Sequence, residues 1–250
     1  MRSRCVPARE RACSTVNKAT VLLHDVAVAD RPANAVIFDF DGVLVDSYHA
    51  VTGAINAALV EHGLPAREPA ELRHFIGPPT FTAFSELTGE PPASEAVAAI
   101  VATYRERYAA VYLTSTAVFD GVVGMLDALA RRMPLALATS KSVLFAQPLL
   151  EQLGLDRYFA VVAAANADDS ADDKTAIVGR ALDALDRAGA VMVGDRSFDI
   201  VAARAHGLPA IGVSWGIGSV EELRAAGADA IVEQPGELVA LLDGERPPGR

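Results

Sequence analysis

The chain has 250 residues, 51% of them hydrophobic, enough to bury a sizeable core in one large domain or two smaller ones. A formal net charge of −10 leaves no basic surplus to neutralise polymer phosphates, which argues against a nucleic-acid binder and against a basic membrane-surface anchor. No apolar run approaches the roughly 18–20 residues of a membrane span.

The two cysteines, Cys5 and Cys13, both lie near the start, so the rest of the chain has no disulfide framework, as suits a cytoplasmic protein. Residues 1–19 carry five basic side chains (Arg2, Arg4, Arg9, Arg11, Lys18) and one acid, Glu10, without the apolar segment of a secretory signal. Residues 1–34 are expected to be a flexible extension. Within them "TVLLHDVAVAD" (20–30) reads either as an extra edge strand or as a packed arm.

Six short apolar runs follow: "AVIFDF" (35–40), "PLALATS" (134–140), "YFAVVAAA" (158–165), "AVMVGD" (190–195), "LPAIGVS" (208–214) and "DAIVE" (229–233). Each is continuously apolar rather than alternating, which predicts parallel strands covered on both faces. Helix-period segments lie between them, over about 122–132, 143–153, 173–187, 198–206, 219–226 and 236–243. This alternation predicts an α/β fold with a doubly wound, Rossmann-like parallel sheet.

One segment breaks the rhythm. Between the first two strands "YHAVTGAINAALVEHG", "FTAFSELTG" and "SEAVAAIVATYRERYAAVY" all carry apolar residues at three- and four-residue steps. A single crossover helix does not use so much chain. The expected organisation is a catalytic core of residues 35–47 and 116–243, an inserted all-helical domain over 48–115, and a frayed end over 244–250.

In open parallel sheets ligands bind beyond the carboxyl ends of the strands. The first strand ends in Asp39 and Asp41, and the second in Thr139, Ser140 and Lys141. After the third comes "ANADDSADDK", ending in Lys174, and the fourth leads into "GDRSFD", with Asp195 and Asp199. Singly these are ordinary turn and capping residues. Together they are not, because two carboxylates roughly 4 Å apart repel by about 4 kcal/mol at an effective dielectric near 20. A cation among them resolves the conflict, and oxygen-only ligands point to Mg²⁺. An aspartate can attack phosphorus, a second carboxylate can move the proton, and a hydroxyl, a lysine and Mg²⁺ can neutralise the transferring group.

These segments, in this order, resemble the four motifs of the haloacid dehalogenase superfamily. In "DFDGVLVDS" the resemblance implies that Asp39 is the nucleophile and Asp41 the acid–base group, with the Asp41 backbone carbonyl on the metal. "LALATS" resembles the second motif and makes Thr139 the phosphate-binding hydroxyl. Lys174 fits the third motif, and "VGDRSFD" fits the fourth, with Asp195 a metal ligand supported by Asp199. The dehalogenases lack the second aspartate, so Asp41 implies phosphoryl chemistry. The helical segment falls where the family carries a cap, and "FIGPPTFTAF" (75–84) resembles members called phosphoglycolate phosphatase-like or 5′-nucleotidase-like. The implied activity is hydrolysis of a small phosphorylated metabolite. The rivals are a phosphomutase of the β-phosphoglucomutase type, whose cap arginine motif is not found here, and a non-catalytic regulatory protein on the same fold.

Weaker signals remain. Arg73 is a candidate substrate-binding cation from the cap, or with His74 a solvated helix end. Ser140 and Lys141 are further candidates for substrate contact. Asp168, Asp169, Asp172 and Asp173 read as a solvated acidic turn. Trp215, His206, Tyr104 and Tyr108 read as packing or surface positions.

Overall fold

The computed structural model describes residues 22–23, 33–167, 173–185 and 189–244. Cys5, Cys13 and the acids Asp168, Asp169 and Asp172 lie outside them. In chain order the strands are β1 (Leu22–Leu23), β2 (Ala35–Phe38), β3 (Val45–Asp46), β4 (Ala117–Val118), β5 (Leu135–Ser142), β6 (Phe159–Ala165), β7 (Ala190–Gly194), β8 (Ala210–Val213) and β9 (Ala230–Val232). The helices are α1 (Tyr48–Glu61), α2 (Pro69–Leu72), α3 (Thr80–Thr88), α4 (Glu95–Val111), α5 (Val122–Ala130), α6 (Val143–Leu153), α7 (Lys174–Ala184), α8 (Ser197–Ala205), α9 (Val220–Ala225) and α10 (Pro235–Leu242).

The main sheet has the order β1-β9-β8-β7-β2-β5-β6, parallel throughout except at β1, which pairs antiparallel with β9. The fold is therefore a doubly wound α/β sheet, with the helical segment inserted between β3 and β4. Of the two readings of residues 20–30, the edge strand is the one realised, at Leu22–Leu23. The continuous apolar runs have a simple cause. Val36 and Phe38 of β2 enter one core, while Ala35 and Ile37 enter another on the opposite face. In β7, Val191 and Val193 alternate with Ala190 and Met192 in the same way. Burying each of the valine, isoleucine, methionine and phenylalanine side chains among them contributes about 1.5–3 kcal/mol.

The insert is built from α1 to α4, with a 3₁₀ turn over Arg73–Phe75. Ser94 caps α4 by accepting from the Val97 N–H, and Val97, Ile100, Val101 and Tyr108 form its buried stripe. In α1 the buried stripe is Ala50, Val51, Ala54, Ile55, Ala58 and Leu59. These two stripes pack together, the small residues of α1 admitting the larger ones of α4. Where the chain leaves and re-enters the sheet, β3 and β4 pair antiparallel, Val45 with Val118 and Asp46 with Ala117. This two-stranded ribbon was not anticipated, because two residues carry no period.

Candidate active site

The sheet reverses its winding at β2. From there the chain runs outward through β5 and β6, then returns to the other flank for β7, β8 and β9. The loops after β2, β5 and β7 diverge at this point and open a crevice at their carboxyl ends. Asp39 follows β2 at once, its N–H donating to the Val193 carbonyl of β7 at 3.0 Å.

The Asp39 carboxylate is buried, with Oδ1 2.7 Å from Lys174 Nζ; the same ammonium lies 2.9 Å from Asp199 Oδ1. Lys174 opens α7, a start fixed by Asp173, whose side chain accepts from the Ala176 N–H at 2.8 Å. Asp173 is thus a helix cap. Asp199 stands in the first turn of α8, its Oδ2 accepting from the Arg196 N–H at 3.1 Å. Asp195 leaves β7 fully buried. Its Oδ2 accepts from the Ile217 N–H at 2.6 Å, while Oδ1 has no hydrogen-bond partner.

Three glycines let the backbone close around Asp195. Gly42 has φ +82°, and a Cβ there would overlap Asp195 Oδ2. A Cβ on Gly216 would strike the Gly42 carbonyl and the Asp195 side chain, and one on Gly218 the Asp195 carbonyl. No side chain larger than hydrogen fits these positions without moving the backbone or side chain of Asp195.

Asp39, Asp195 and Asp199 each place a carboxylate oxygen within 4.8 Å of the others. Burial pushes the Asp39 carboxyl from 3.8 up to about 7; Lys174 pulls it down, while Asp199 and Asp41 add to the rise. Burial also pushes Asp195 well above the usual carboxylate range, with Asp199 and Asp39 adding to it. Burial disfavours the Lys174 charge, yet Asp199 and Asp39 outweigh it and raise its pKa. Lys174 thus pairs with Asp39 and Asp199, while Asp195 feels the Arg196 guanidinium and keeps one oxygen unpartnered. An oxygen-only donor set with excess negative charge fits a hard divalent cation such as Mg²⁺.

Asp41 faces the cavity instead of joining this cluster. Its Oδ1 accepts from Ser47 Oγ and its Oδ2 lies 3.1 Å from Lys141 Nζ. Thr139 is buried in β5, which runs on to Ser142, and its Oγ1 accepts from the Lys141 N–H at 3.1 Å. A cavity of about 80 Å³ brings Asp39, Asp41, Thr139, Ser140 and Lys141 together with residues of the insert, among them Phe75, Tyr104, Arg105 and Tyr108. Tyr108, read from sequence as packing, holds Lys141: the ammonium donates to Tyr108 Oη at 2.5 Å and lies 4.6 Å from the ring centroid. Nothing in the sequence but an i, i+4 tyrosine pair marked it, and Arg105 carried no signal at all.

Arg73 sits elsewhere. Its guanidinium donates to the carbonyls of Ile217 and, at 2.8 Å, Gly216, beside a separate cavity shared with Trp215. It joins the insert to the loop after β8 and does not border the cavity that holds Asp39. A counterpart runs the other way, from Arg196 in the sheet layer to the Ile76 carbonyl of the insert. Trp215 donates to the Val43 carbonyl at 3.0 Å, and His206 bonds the Thr175 carbonyl at 2.8 Å.

The haloacid dehalogenase-like hydrolase family matches residues 36–213. The chain belongs to that family, and within it is an enzyme of the phosphoric monoester hydrolase class. It is similar to a 5′-nucleotidase of Pseudomonas aeruginosa, 36% identical over 195 residues, covering 76% of this chain and 86% of that protein. It is also similar to the tyrosine-protein kinase PtkA of Mycobacterium tuberculosis, 35% identical over 191 residues, covering 74% of this chain and 64% of that longer protein. Among solved structures, a predicted phosphatase from Clostridium acetobutylicum superposes with a TM-score of 0.79 at 32% identity, covering 84% of this chain and 97% of that one. Among the described residues no helix is long and apolar enough to cross a membrane.

Proposed function

We propose that this chain is a Mg²⁺-dependent phosphatase of small phosphomonoesters, cytoplasmic, working through an aspartyl-phosphate on Asp39. The observation that carries this reading is the division of labour among the carboxylates. Asp39 stands where the buried acidic cluster meets the cavity, and Asp41, two residues on, opens to that cavity with separate partners.

Asp39 attacks phosphorus while the bond to the leaving oxygen breaks. Asp41 gives its proton to that oxygen and is left as a carboxylate. Water then attacks the aspartyl-phosphate, its proton going to Asp41, and Asp39 is released. Thr139 Oγ1 and the Lys174 ammonium hold phosphoryl oxygens against the charge that builds on them. Asp39, Asp195 and the Asp41 carbonyl would hold Mg²⁺, with Asp199 fixing Lys174 beside them. The ion supplies charge neutralisation at the phosphoryl oxygens and lowers the repulsion between nucleophile and substrate. The helical insert, residues 48–115, acts as the cap that excludes bulk water.

The test is phosphate release from a panel of nucleoside monophosphates, phosphoglycolate and sugar phosphates, with and without Mg²⁺, beside an Asp39→Asn control. Metal-dependent release that disappears in the control is the expected result. No release and no phosphorylated Asp39 would overturn the reading, as would transfer of phosphate from ATP to tyrosine without ester hydrolysis. Phosphorylation of Asp39 without net release would favour the mutase.

A further inference from the structure

Resting on the phosphatase reading, we propose that Tyr108 of the helical insert is a positioning residue for proton transfer, orienting the Asp41 carboxylate through Lys141. Three elements meet here: Tyr108 comes from α4, Lys141 from β5, and Asp41 from the turn after β2. The Lys141 ammonium reaches Tyr108 Oη at 2.5 Å and Asp41 Oδ2 at 3.1 Å, and its side chain is 6% exposed. Ser47 holds the other oxygen of Asp41. The carboxylate is thus gripped on both sides, and one of the grips is anchored in the insert.

Packing alone does not account for this arrangement. The Tyr108 ring is fixed by Tyr104, Tyr112 and Phe145, with centroids 5.8, 5.5 and 5.0 Å away. Any backbone N–H could equally donate to a buried tyrosine hydroxyl oxygen. Here the donor to that oxygen is Lys141, the ammonium that, among the described residues, pairs with the cavity-facing Asp41. A lysine side chain left to itself samples many rotamers, and holding it in one costs conformational entropy. The tyrosine hydroxyl and ring supply the second anchor that holds Nζ in a single place. Because Tyr108 belongs to the insert and Asp41 to the sheet, the arrangement exists only while the insert covers the cavity. Proton donation is thereby tied to the covered state.

The position of the proton donor matters in proportion to how much the leaving oxygen needs the proton. An alkoxide needs it, whereas 4-nitrophenolate departs without it. The experiment therefore compares kcat/KM, which reports the step that forms the aspartyl-phosphate, for an alkyl phosphate and for 4-nitrophenyl phosphate. Tyr108→Phe keeps the ring and removes the hydroxyl. It should lower kcat/KM for the alkyl ester about tenfold more than for the aryl ester, as expected for a displaced acid. Lys141→Met should show the same selectivity, and this keeps the proposal testable if the tyrosine variant does not fold. In the Lys141→Met background, adding Tyr108→Phe should change the ratio between the esters no further. Equal losses on both esters, or none on either, would overturn the proposal while leaving the phosphatase reading intact. If the wild-type protein hydrolyses neither ester, the phosphatase reading has failed and the proposal falls with it.

Discussion

Lys174→Met is the perturbation that probes the site most directly, because one ammonium serves two buried carboxylates. Its distances of 2.7 Å to Asp39 and 2.9 Å to Asp199 each correspond to about 6 kcal/mol of gross attraction at an effective dielectric near 20. Desolvation takes back much of this, since the lysine side chain is 7% exposed and the Asp199 side chain 2%. Removing one partner of a buried pair costs about 3–5 kcal/mol, because the remaining charge is left without compensation. Asp39 offsets part of the loss. Its carboxyl already titrates near 7 with the lysine in place, so without it Asp39 takes up a proton at neutral pH.

Metal-free Lys174→Met should therefore be about 3 kcal/mol less stable than the wild type in urea unfolding at pH 7 with EDTA. Adding Asp199→Asn should recover part of the difference, since one of the uncompensated carboxylates is then neutral. Phosphatase activity should fall by at least about a hundredfold in both variants, because neither restores a cation at the phosphoryl oxygens. A Lys174→Met protein within about 1 kcal/mol of the wild type would refute the claim that this lysine balances the cluster. A double variant less stable than the single one would refute it as well.

Other consequences follow from the same charges. Since burial raises Asp39 from 3.8 to about 7, the metal-free fold favours its protonated form; the stability tied to that proton is intact below 3.8 and is lost as pH rises through about 7. Mg²⁺ needs the carboxylate, so the rise in melting temperature on adding Mg²⁺ should be larger at pH 8 than at pH 5.5; an equal or larger rise at pH 5.5 would contradict the assignment. Glu222 shows the opposite sign. Burial acts to raise its carboxyl, but the Ser197 N–H and hydroxyl and the Arg196 guanidinium outweigh it and hold it below 4.5. That contribution is present above 4.5 and is lost as pH falls through the lowered value. Glu222→Gln should thus cost about 1 kcal/mol at pH 7, and the gap from the wild type should narrow as pH falls below 4.5 in acid-unfolding curves.

The sheet was legible because its strands are buried on both faces, so that Val36, Ile37 and Phe38 form a run no exposed strand tolerates. The four acids of the site were legible because each stands immediately after or near the end of such a run. The rest required contacts that spacing does not encode. Tyr108 lies 33 positions from Lys141, and to the sequence it is one more aromatic on an apolar helix face. Arg73 is a cation beside "FIGPP", and only the fold shows that its donors go to carbonyls 143 and 144 positions away. Asp41 shares a motif with Asp39, but β2 ends at Phe38 and the chain bends at Phe40 between them, so Asp39 joins the buried cluster while Asp41 faces the cavity.

The insert enters the fold after β3 and leaves it before β4, so a two-stranded ribbon is the only paired strand structure at its base among the described residues. Everything charged in the buried cluster belongs to the sheet layer, and the cavity walls Phe75, Tyr104 and Arg105 belong to the insert. The two parts also meet through guanidinium groups on backbone carbonyls, Arg73 on Gly216 and Ile217, and Arg196 on Ile76. Hydrogen bonds of this kind contribute modestly in net terms, because water can replace either partner. They are therefore contacts that can be broken and remade at low cost, unlike the apolar packing of α1 against α4 inside the insert. A site assembled this way keeps the geometry of its buried carboxylate cluster independent of the Phe75, Tyr104 and Arg105 wall of the insert. Substitutions at Phe75 or Arg105, which do not contact Lys141 as Tyr108 does, should change which phosphomonoester is accepted while leaving the carboxylate cluster in place.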